Sequence, residues 1–283
     1  MYWNISMKRI GYYPGKAIKI LFLIAAVVVS FLPFWMLFIA SLRGRTVLFE
    51  YPPKLWPSDG TLENYRLILT RDNNFMNWFK NSFIVGISGT LSSLVVCLLA
   101  AYAFAKKQFP GKIILFTMIM ATMIIPGAVT LFPTFKVVKF FGMINTLPGV
   151  FITGVANVFG MMMLKQYMEG IPNSIMESAV IDGAGEYTIF FRIMLPMCTS
   201  AAALLVIWCF MGHWNNLLWP LVILNTESLR TLPVGIAGMK GKSATAWNLI
   251  MSATMLSLVP IVTVFLIFRR KFIEGMTVGA VKG

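Results

Sequence analysis

Six long apolar runs constrain this chain more than any other feature of its sequence. A helix needs about 20 mostly apolar residues to cross the hydrocarbon core of a bilayer, and each run reaches that length. Only 12% of the 283 residues are charged, about half of the share that is usual in soluble domains. We therefore predict an all-α integral membrane protein with six transmembrane helices. The predicted spans cover residues 18–41, 82–105, 113–132, 148–168, 201–224 and 249–268.

Basic residues beside these runs predict an orientation, because Lys and Arg are enriched in short cytoplasmic segments. They cluster before the first run, after the second and after the sixth. Both termini are then cytoplasmic, which an even number of spans requires, and the net charge of +14 needs no nucleic-acid partner to explain it. The chain divides into a cytoplasmic tail at 1–17 and a transmembrane domain at 18–283. The basic clusters are Lys8, Arg9, Lys16 and Lys19; Lys106, Lys107 and Lys112; and Arg269, Arg270 and Lys271.

Residues that could support catalysis or metal binding are few. The chain has one histidine, and its three cysteines lie far apart with no metal-ligand spacing. The stretch "IAGMKGKS" from Ile236 to Ser243 is close to a P-loop, but Ile stands where the pattern G-x-x-x-x-G-K-[ST] requires Gly. We predict no metal or cofactor bound by this chain, and no ATP hydrolysis by it.

The connection between the fourth and fifth runs, residues 170–198, concentrates the acids that the chain otherwise lacks. Four of its ten acids lie between Glu169 and Glu186. At about 30 residues the connection is far longer than a minimal turn, and long loops in compact bundles usually have a function. We therefore consider this loop the main candidate for a functional site.

Local signals predict the structure of that loop. Pro172 blocks continuation of the fourth helix, and Ser174 with Glu177 fits an S-x-x-E capping box, which starts a new helix. Gly183 can adopt positive φ and end that helix, and the charge of Glu186 favours the start of a second one. The loop is predicted to be a helix, a tight turn and a second helix on the cytoplasmic membrane surface, with Pro196 before the fifth span.

The residues by themselves leave two interpretations of the loop open. Glu177 can be explained as a helix cap, and Asp182 and Glu186 as a solvated face. The small residues clustered at the turn instead allow another surface to approach closely, which favours docking. These small residues are Ala179, Gly183, Ala184 and Gly185.

The loop resembles the EAA loop of ABC importer permeases. That family's pattern is E-A-A, three residues, Gly, nine residues and I-x-L-P, and this chain keeps every spacing. Ser178 replaces the first Ala, and Ser200 stands where many relatives have a second Pro. The matching residues are Glu177, Ser178, Ala179, Gly183, Ile193, Met194, Leu195 and Pro196. Further segments resemble the carbohydrate-uptake branch, of the maltose-transport type: "LENYRLIL" at 62–69, "AAYAFAKKQFPGK" at 100–112, "GMINTLPGVF" at 142–151, "WNNLLWPLVIL" at 214–224, "TLPVGIAG" at 231–238 and "FIEGMTVGAVKG" at 272–283.

The resemblance implies the type I ABC importer permease fold and a role in sugar import across a prokaryotic inner membrane. It implies a heterodimer with a second permease, two copies of a cytoplasmic ATPase that binds ATP and Mg, and an extracytoplasmic substrate-binding protein. It also implies the residues through which the ATPase is coupled. These are Glu177, Ser178, Ala179, Asp182, Gly183, Ala184, Ile193, Leu195 and Pro196.

The C-terminal tail, residues 269–283, ends in "EGMTVGAVKG", which has no apolar periodicity and so predicts no packed helix. A frayed terminus would be the default for such a segment. In the family that the chain resembles, the tail reaches between the two ATPases. Gly275, Gly279 and Lys282 are therefore expected to contact the ATPase.

Polar residues at membrane depth are costly and face a cavity or another helix. Asn157 and His213 lie near the middle of the fourth and fifth spans, and Trp214 and Asn216 follow His213. Amide and aromatic groups suit sugars, so these four residues are candidates for a substrate path; a hydrogen bond between helices is the alternative. Gly86 and Gly89, close to a small-x-x-x-small pattern with Thr90, predict close helix packing.

Two other classes of protein fit the sequence less well. A secondary transporter driven by an ion gradient needs ionisable groups inside the membrane, and none of the ten acids falls within a predicted span. An intramembrane enzyme would need catalytic residues, and no Ser/His/Asp set or H-E-x-x-H motif is present. Transport with and without ATP separates an ABC permease from both.

Overall fold

The computed structural model describes residues 14–44, 56, 60–70, 74–240 and 247–280, and the side chains among them from Ile18 to Phe272. Every regular element in these residues is a helix, and they contain no strand. The helices are α1 Pro14–Leu42, α2 Glu63–Thr70, α3 Phe75–Lys106, α4 Lys112–Ala121, α5 Gly127–Phe140, α6 Leu147–Phe151, α7 Val158–Glu169, α8 Asn173–Ile181, α9 Glu186–Thr188, α10 Leu195–Met197, α11 Thr199–Trp214, α12 Leu218–Ile223, α13 Leu232–Gly238 and α14 Trp247–Ala280.

Four stretches among the described residues are long and apolar enough to cross a membrane. They are Ile18–Leu42, Phe75–Lys106, Thr199–Ile223 and Trp247–Phe272. Each overlaps one of the predicted spans. The other two predicted spans correspond to bent helix pairs, so the described residues contain four to six candidate spans, depending on whether each bent pair crosses once.

The helix predicted at 113–132 is broken in its middle. The segments Lys112–Ile124 and Gly127–Phe140 meet at 111°. Pro126 causes the break: it disfavours helical geometry at the preceding residue, and Ile125 is extended, with φ −79° and ψ 118°. Pro126 itself is also extended, and α5 begins directly after it.

The predicted helix at 148–168 is also interrupted, though less sharply. The segments Leu147–Gly154 and Val158–Glu169 are bent by 45°. Asn157 lies at the break as the N-cap of α7, and its Oδ1 accepts a hydrogen bond from the Gly160 backbone N–H at 2.7 Å. An Asn at this position satisfies one of the unpaired N–H groups at the start of α7.

By its internal contacts the chain divides into two compact units. One unit comprises Met1–Tyr65 with Ala246–Met255, and the other comprises Arg66–Thr245 with Leu256–Gly283. In the first unit, α1 exposes apolar side chains such as Leu21 and Phe22 along its length, as expected of a helix surrounded by lipid.

Buried amides and hydroxyls join the helices of this first unit. The Asn64 amide donates to the backbone carbonyls of Ser41 and Arg43 at 2.8 and 2.7 Å, which are carbonyls at the C-terminal end of α1. The Asn248 amide donates to Asn64 Oδ1 at 2.8 Å, and the Ser252 hydroxyl donates to the Ser41 carbonyl at 2.8 Å. Helix-end carbonyls that would otherwise be unpaired are thus satisfied.

The core of the second unit is formed where α3 packs against α7 and α11. Small residues on α3 make close approach possible, as predicted. A Cβ on Gly86 would lie 2.9 Å from a ring carbon of Phe210, and one on Gly89 would lie 2.6 Å from His213 Nε2. The buried apolar residues of the core continue from these helices into the loop at 170–198, where they include Ala179, Ile189 and Met194.

Candidate functional site

Helix α8 forms the first half of the loop between α7 and α11, and the predicted capping box does not form there. The N-cap is Pro172, with ψ 135°, and no side chain caps the helix. Ser174 lies inside α8, where its carbonyl accepts a hydrogen bond from the Ser178 hydroxyl at 2.8 Å. The box fails because the helix starts at Asn173, directly after Pro172, so Ser174 is its second residue and cannot be its N-cap.

The turn after α8 has the geometry that the sequence predicts. Gly183 has φ +82°, and Ala184 N–H donates to the Ala179 carbonyl at 2.8 Å while Gly183 N–H donates to the Val180 carbonyl at 3.0 Å. This is the hydrogen-bond pattern of a glycine-terminated helix. The second helix, α9, begins at Glu186, so the predicted helix, turn and helix are confirmed.

The outer surface of the loop is exposed and carries both charge and apolar groups. Glu177, Ser178 and Asp182 are exposed. Two large apolar side chains are almost fully exposed as well, Ile181 at 85% and Tyr187 at 83%. Exposed apolar groups on a short, ordered loop are typical of a surface that contacts another protein.

The inner side of the loop anchors it to the bundle. Ala179 is buried, Ala184, Ile193 and Leu195 are half-buried, and Pro196 is exposed. A π-helical turn, Ile189–Met194, joins α9 to α10 and buries Met194 completely. π-Helical turns are rare and are frequent at functional sites.

Three side chains at the C-terminal end of α3 hold the loop by polar contacts. The Tyr102 hydroxyl donates to Glu186 Oε1 at 2.6 Å, and Lys107 Nζ donates to Glu186 Oε2 at 2.6 Å. Lys106 Nζ donates to the Ile171 carbonyl at 2.6 Å and to Asn173 Oδ1 at 2.9 Å. The sequence analysis found the loop but not these anchors.

The hydrogen bond from Lys107, and then that from Tyr102, lower the pKa of Glu186 below its ordinary value. The carboxylate is therefore ionised at neutral pH. Because the folded-state pKa is lowered, the contribution of these contacts is present at neutral pH and is lost as the pH falls through that pKa.

A pocket of about 380 Å³ lies beside the anchors. Its walls combine the polar side chains at the end of α3 with residues of α8 and the start of the second helix. The lining residues are Tyr102, Lys106, Lys107, Asn173, Met176, Glu177, Val180, Ile181, Glu186 and Ile189.

The four candidates for a substrate path have partners within the chain. His213 lies against Gly89 and Gly154, and its Nε2 is 3.5 Å from the Ser93 hydroxyl, which the sequence analysis missed. Asn216 Oδ1 accepts a hydrogen bond from the Trp219 N–H at 3.4 Å, and Asn157 caps α7.

Trp214 does not fit a path-lining role. Its side chain is only 2% exposed, and its ring stacks on Phe210 with a centroid distance of 5.5 Å. Its Nε1–H donates to the Ser257 carbonyl at 3.1 Å. The ring is thus buried against other residues of this chain, and it acts as a packing residue.

The backbone of the C-terminal tail is helical, whereas the side chains after Phe272 lie outside the described residues, so the expectation that no packed helix forms there stays a prediction. Helix α14 continues without interruption to Ala280 and includes Gly275 and Gly279. Lys282 lies outside the described residues. Throughout the described ranges no group of three or more His, Cys, Asp or Glu side chains could hold a metal ion, and Cys97, Cys198 and Cys209 are free and buried.

Apolar spanning helices joined by an exposed helix–turn–helix loop define a multi-pass membrane permease. Residues 93–278 match the family described as "Binding-protein-dependent transport system inner membrane component". The chain therefore belongs to this family of inner-membrane ABC importer permeases, and the resemblance to the carbohydrate-uptake branch is confirmed. Such a permease is not an enzyme, and the ATPase activity lies in a partner subunit.

Several relatives match nearly the whole chain. The "Arabinooligosaccharides transport system permease protein AraQ" of Halalkalibacterium halodurans is 33% identical over 241 residues, covering 85% of this chain and 84% of the relative. The "Inner membrane ABC transporter permease protein YcjP" of Escherichia coli is 30% identical over 281 residues, covering 98% of each. The "sn-glycerol-3-phosphate transport system permease protein UgpE" of Salmonella typhi is 33% identical over 261 residues, covering 90% and 93%.

Solved structures show the same fold. A chain of a bacterial ABC transporter involved in the import of the acidic polysaccharide alginate matches with a TM-score of 0.80 at 20% identity, covering 96% of this chain and 99% of that one. A chain of a bacterial alginate ABC transporter in complex with alginate pentasaccharide-bound periplasmic protein matches with a TM-score of 0.67 at 14% identity, covering 90% and 93%.

Proposed function

We propose that this chain is the permease subunit of an ATP-driven importer of a sugar or oligosaccharide and forms half of the translocation path. The observation that carries the proposal is the exposed helix α8 and the turn that follows it. Gly183 has positive φ in this turn and lies between Asp182 and Glu186, and the apolar side chains of Ile181 and Tyr187 are exposed beside it. Its partners are a second permease, two copies of a cytoplasmic ATPase that binds ATP and Mg, and an extracytoplasmic binding protein. This chain itself binds no cofactor.

Coupling runs through the loop at 170–198. Glu177, Ser178, Asp182 and Gly183 offer the exposed surface to the ATPase. Ala179, Ala184, Ile193 and Leu195 join that surface to the core, and the exposed Pro196 follows them before α11. When ATP binding brings the two ATPases together, the docked loops move with them and the bundle opens outward to the loaded binding protein. Hydrolysis then returns the bundle to the inward-facing state.

The tail at 269–283 supports a second contact with the ATPase. A continuous helix to Ala280 carries Gly275 and Gly279 away from the last span, and Lys282 follows them. We place this tail between the two ATPases. Removal of residues 275–283 tests the placement, because it lowers ATP hydrolysis by the complex only if the contact exists.

Within the membrane, Asn157, His213 and Asn216 are the favoured path candidates, and Trp214, whose side chain is buried, is less suited to line a path. All three lie at or beside helix breaks, where irregular backbone inside a membrane is tolerated only against protein or a water-filled cavity. Amide and imidazole groups at such breaks suit the hydroxyls of a sugar.

Each bent helix pair counts as one crossing in the proposed topology, which gives six spans and two cytoplasmic termini, with the domain boundaries at 1–17 and 18–283. A cysteine introduced by Ser178→Cys should then react with an impermeant maleimide only from the cytoplasmic side. One introduced by Asn225→Cys should react only from outside. Both positions are exposed and the native cysteines are buried, so background labelling is low. Labelling of the Ser178→Cys variant in intact cells would contradict the topology.

Purification of the tagged chain from its native membrane, followed by reconstitution of everything that co-elutes, tests the function. We expect an ATPase and a second permease to co-elute. Uptake of labelled arabino-oligosaccharides, alginate oligosaccharides and glycerol 3-phosphate should then be compared with and without internal ATP, with the binding protein outside. ATP-dependent uptake of a sugar supports the proposal. Uptake driven by an ion gradient without ATP would replace it with a secondary transporter.

A further inference from the structure

The C-terminal end of α3 holds the coupling loop on both flanks of α8. At the start of α8, Lys106 Nζ donates to the Ile171 carbonyl and to the side chain of Asn173, the first residue of α8. After α8, Glu186 accepts one hydrogen bond from Tyr102 and one from Lys107. The exposed centre of α8 lies between these two attachments, so a displacement of α8 acts on the end of α3 through both.

These attachments border the pocket described above. The pocket of about 380 Å³ lies between the two helices, and its walls include the three anchoring side chains. Polar contacts across such a gap fix the distance between the end of α3 and the loop, and the direction in which the loop lies. Apolar packing joins the loop to the core through Ala179 and Ile189.

The other end of α3 makes a second set of polar contacts, with the segment at 227–232. Trp78 Nε1–H donates to the Glu227 carbonyl at 2.8 Å. The Asn81 amide donates to the carbonyls of Ser228 and Arg230 at 2.8 and 3.0 Å, and the Ser82 hydroxyl accepts from the Leu232 N–H at 2.7 Å.

Between these two sets of contacts α3 is one unbroken helix of 32 residues, Phe75–Lys106. At 1.5 Å per residue, it is about 48 Å long. It contains no proline, whereas the neighbouring helix pairs are broken. An unbroken helix attached at both ends transmits displacement better than a bent one.

We propose that Tyr102, Lys106 and Lys107 are positioning residues that fix the coupling loop to α3, so that displacement of α8 moves α3 as a rod and carries the segment at 227–232 with it. The proposal rests on the proposed function, because the ATPase supplies the displacement. In this proposal Glu186 is the loop residue that accepts the hydrogen bonds of Tyr102 and Lys107. The anchors themselves need not touch the ATPase.

The test uses the native complex that co-purifies with the tagged chain and carries the exposed reporter Asn225→Cys beside the outer segment. Maleimide labelling of the reporter is timed with and without ATP plus vanadate. We expect ATP–vanadate to change the labelling rate in the otherwise wild-type complex. In the double variant Tyr102→Phe with Glu186→Gln, ATP–vanadate should no longer alter the labelling rate. The ATPase should still co-purify and still hydrolyse ATP. Tyr102→Phe keeps the ring, which packs against Phe190 at 5.1 Å.

A charge exchange and a matched control separate positioning from a general loss of structure. Lys107→Glu and Glu186→Lys should each abolish the ATP-linked change in labelling rate when made alone. The two changes together should restore it. The control is Lys165→Gln, which removes an ion pair of 2.7 Å with Glu169 inside α7 and a cation–π contact with Phe116, and changes none of the three anchors. It should behave like the wild type.

The possible outcomes are distinct. If no ATPase co-purifies with the wild-type chain, the proposed function fails. If the wild-type complex couples and the double variant shows the same ATP-linked change, the function stands and the positioning role is wrong. Equal loss in the α7 control, or no rescue by the charge exchange, also overturns the positioning role.

Discussion

Replacement of Gly183 with tryptophan should abolish association of the chain with its ATPase while leaving the permease inserted in the membrane. Gly183 has φ +82°, and a left-handed conformation costs an L-residue about 1–2 kcal/mol. A Cβ at this position would meet no atom of this chain within 4 Å, so the side chain starts from open space in the isolated subunit. It would instead occupy the space through which the ATPase approaches α8.

Gly111 offers a matched control for this variant. It has φ +77° and an equally open Cβ position, but it lies in the turn between α3 and α4. Gly111→Trp therefore introduces the same ring and the same backbone strain away from the loop. Co-purification of the ATPase with each variant, compared with the amount of inserted permease, gives the result. Retention of the ATPase by Gly183→Trp would contradict docking at this turn, and loss by both variants would point to backbone strain.

The local structure of the coupling loop could be predicted because it depends on local signals. Gly183 ends α8 through its own φ, and Glu186 begins the next helix, as the sequence indicated. The capping box was wrong because two local signals competed. Pro172 fixed the helix start, which left Ser174 inside the helix.

The breaks in the spans could not be predicted from proline alone. Pro33, Pro133 and Pro260 each lie inside a continuous helix, whereas Pro126 ends one. The residues on both sides of such a break are apolar, so the sequence shows one continuous apolar run and the break leaves no hydropathy signal. The outcome depends on which neighbouring groups can satisfy the carbonyl that proline leaves unpaired, and this is a property of the packed bundle.

The anchors of the loop are long-range contacts, which explains why the sequence did not reveal them. Tyr102 and Glu186 are 84 positions apart, and Lys106 and Ile171 are 65 apart. Lys106 and Lys107 were interpreted as signals of a cytoplasmic helix end. Basic residues at such an end fit the enrichment of Lys and Arg in cytoplasmic segments whether or not they bind another residue. The burial of Trp214 was missed for a similar reason: its aromatic ring suits a sugar path and a packed core equally well.

Gly149→Val should prevent the chain from forming a stable permease. Gly149 lies in α6, and a Cβ there would be 2.2 Å from the Met143 carbonyl oxygen. This neighbour is backbone and cannot rotate away as a side chain would. The Gly149 carbonyl also accepts the Trp219 indole N–H at 3.0 Å, and its N–H donates to Thr146 Oγ1 at 3.2 Å, so movement of this turn breaks two further contacts. Overpacking typically costs about 1–3 kcal/mol, and these losses add to it.

Gly127→Val is the control, because Gly127 also lies near the start of a short helix but has no atom within 4 Å of its Cβ position. It should be inserted and purified like the wild type. We expect Gly149→Val to lower both the yield of monodisperse protein in detergent and the temperature at which the protein aggregates. Gly149→Ala should fall between the two, because even one methyl group meets the carbonyl oxygen. Wild-type yield and thermal behaviour of Gly149→Val would show that the turn at 143–149 can open, and that the close approach of Gly149 to Met143 is not required for the fold.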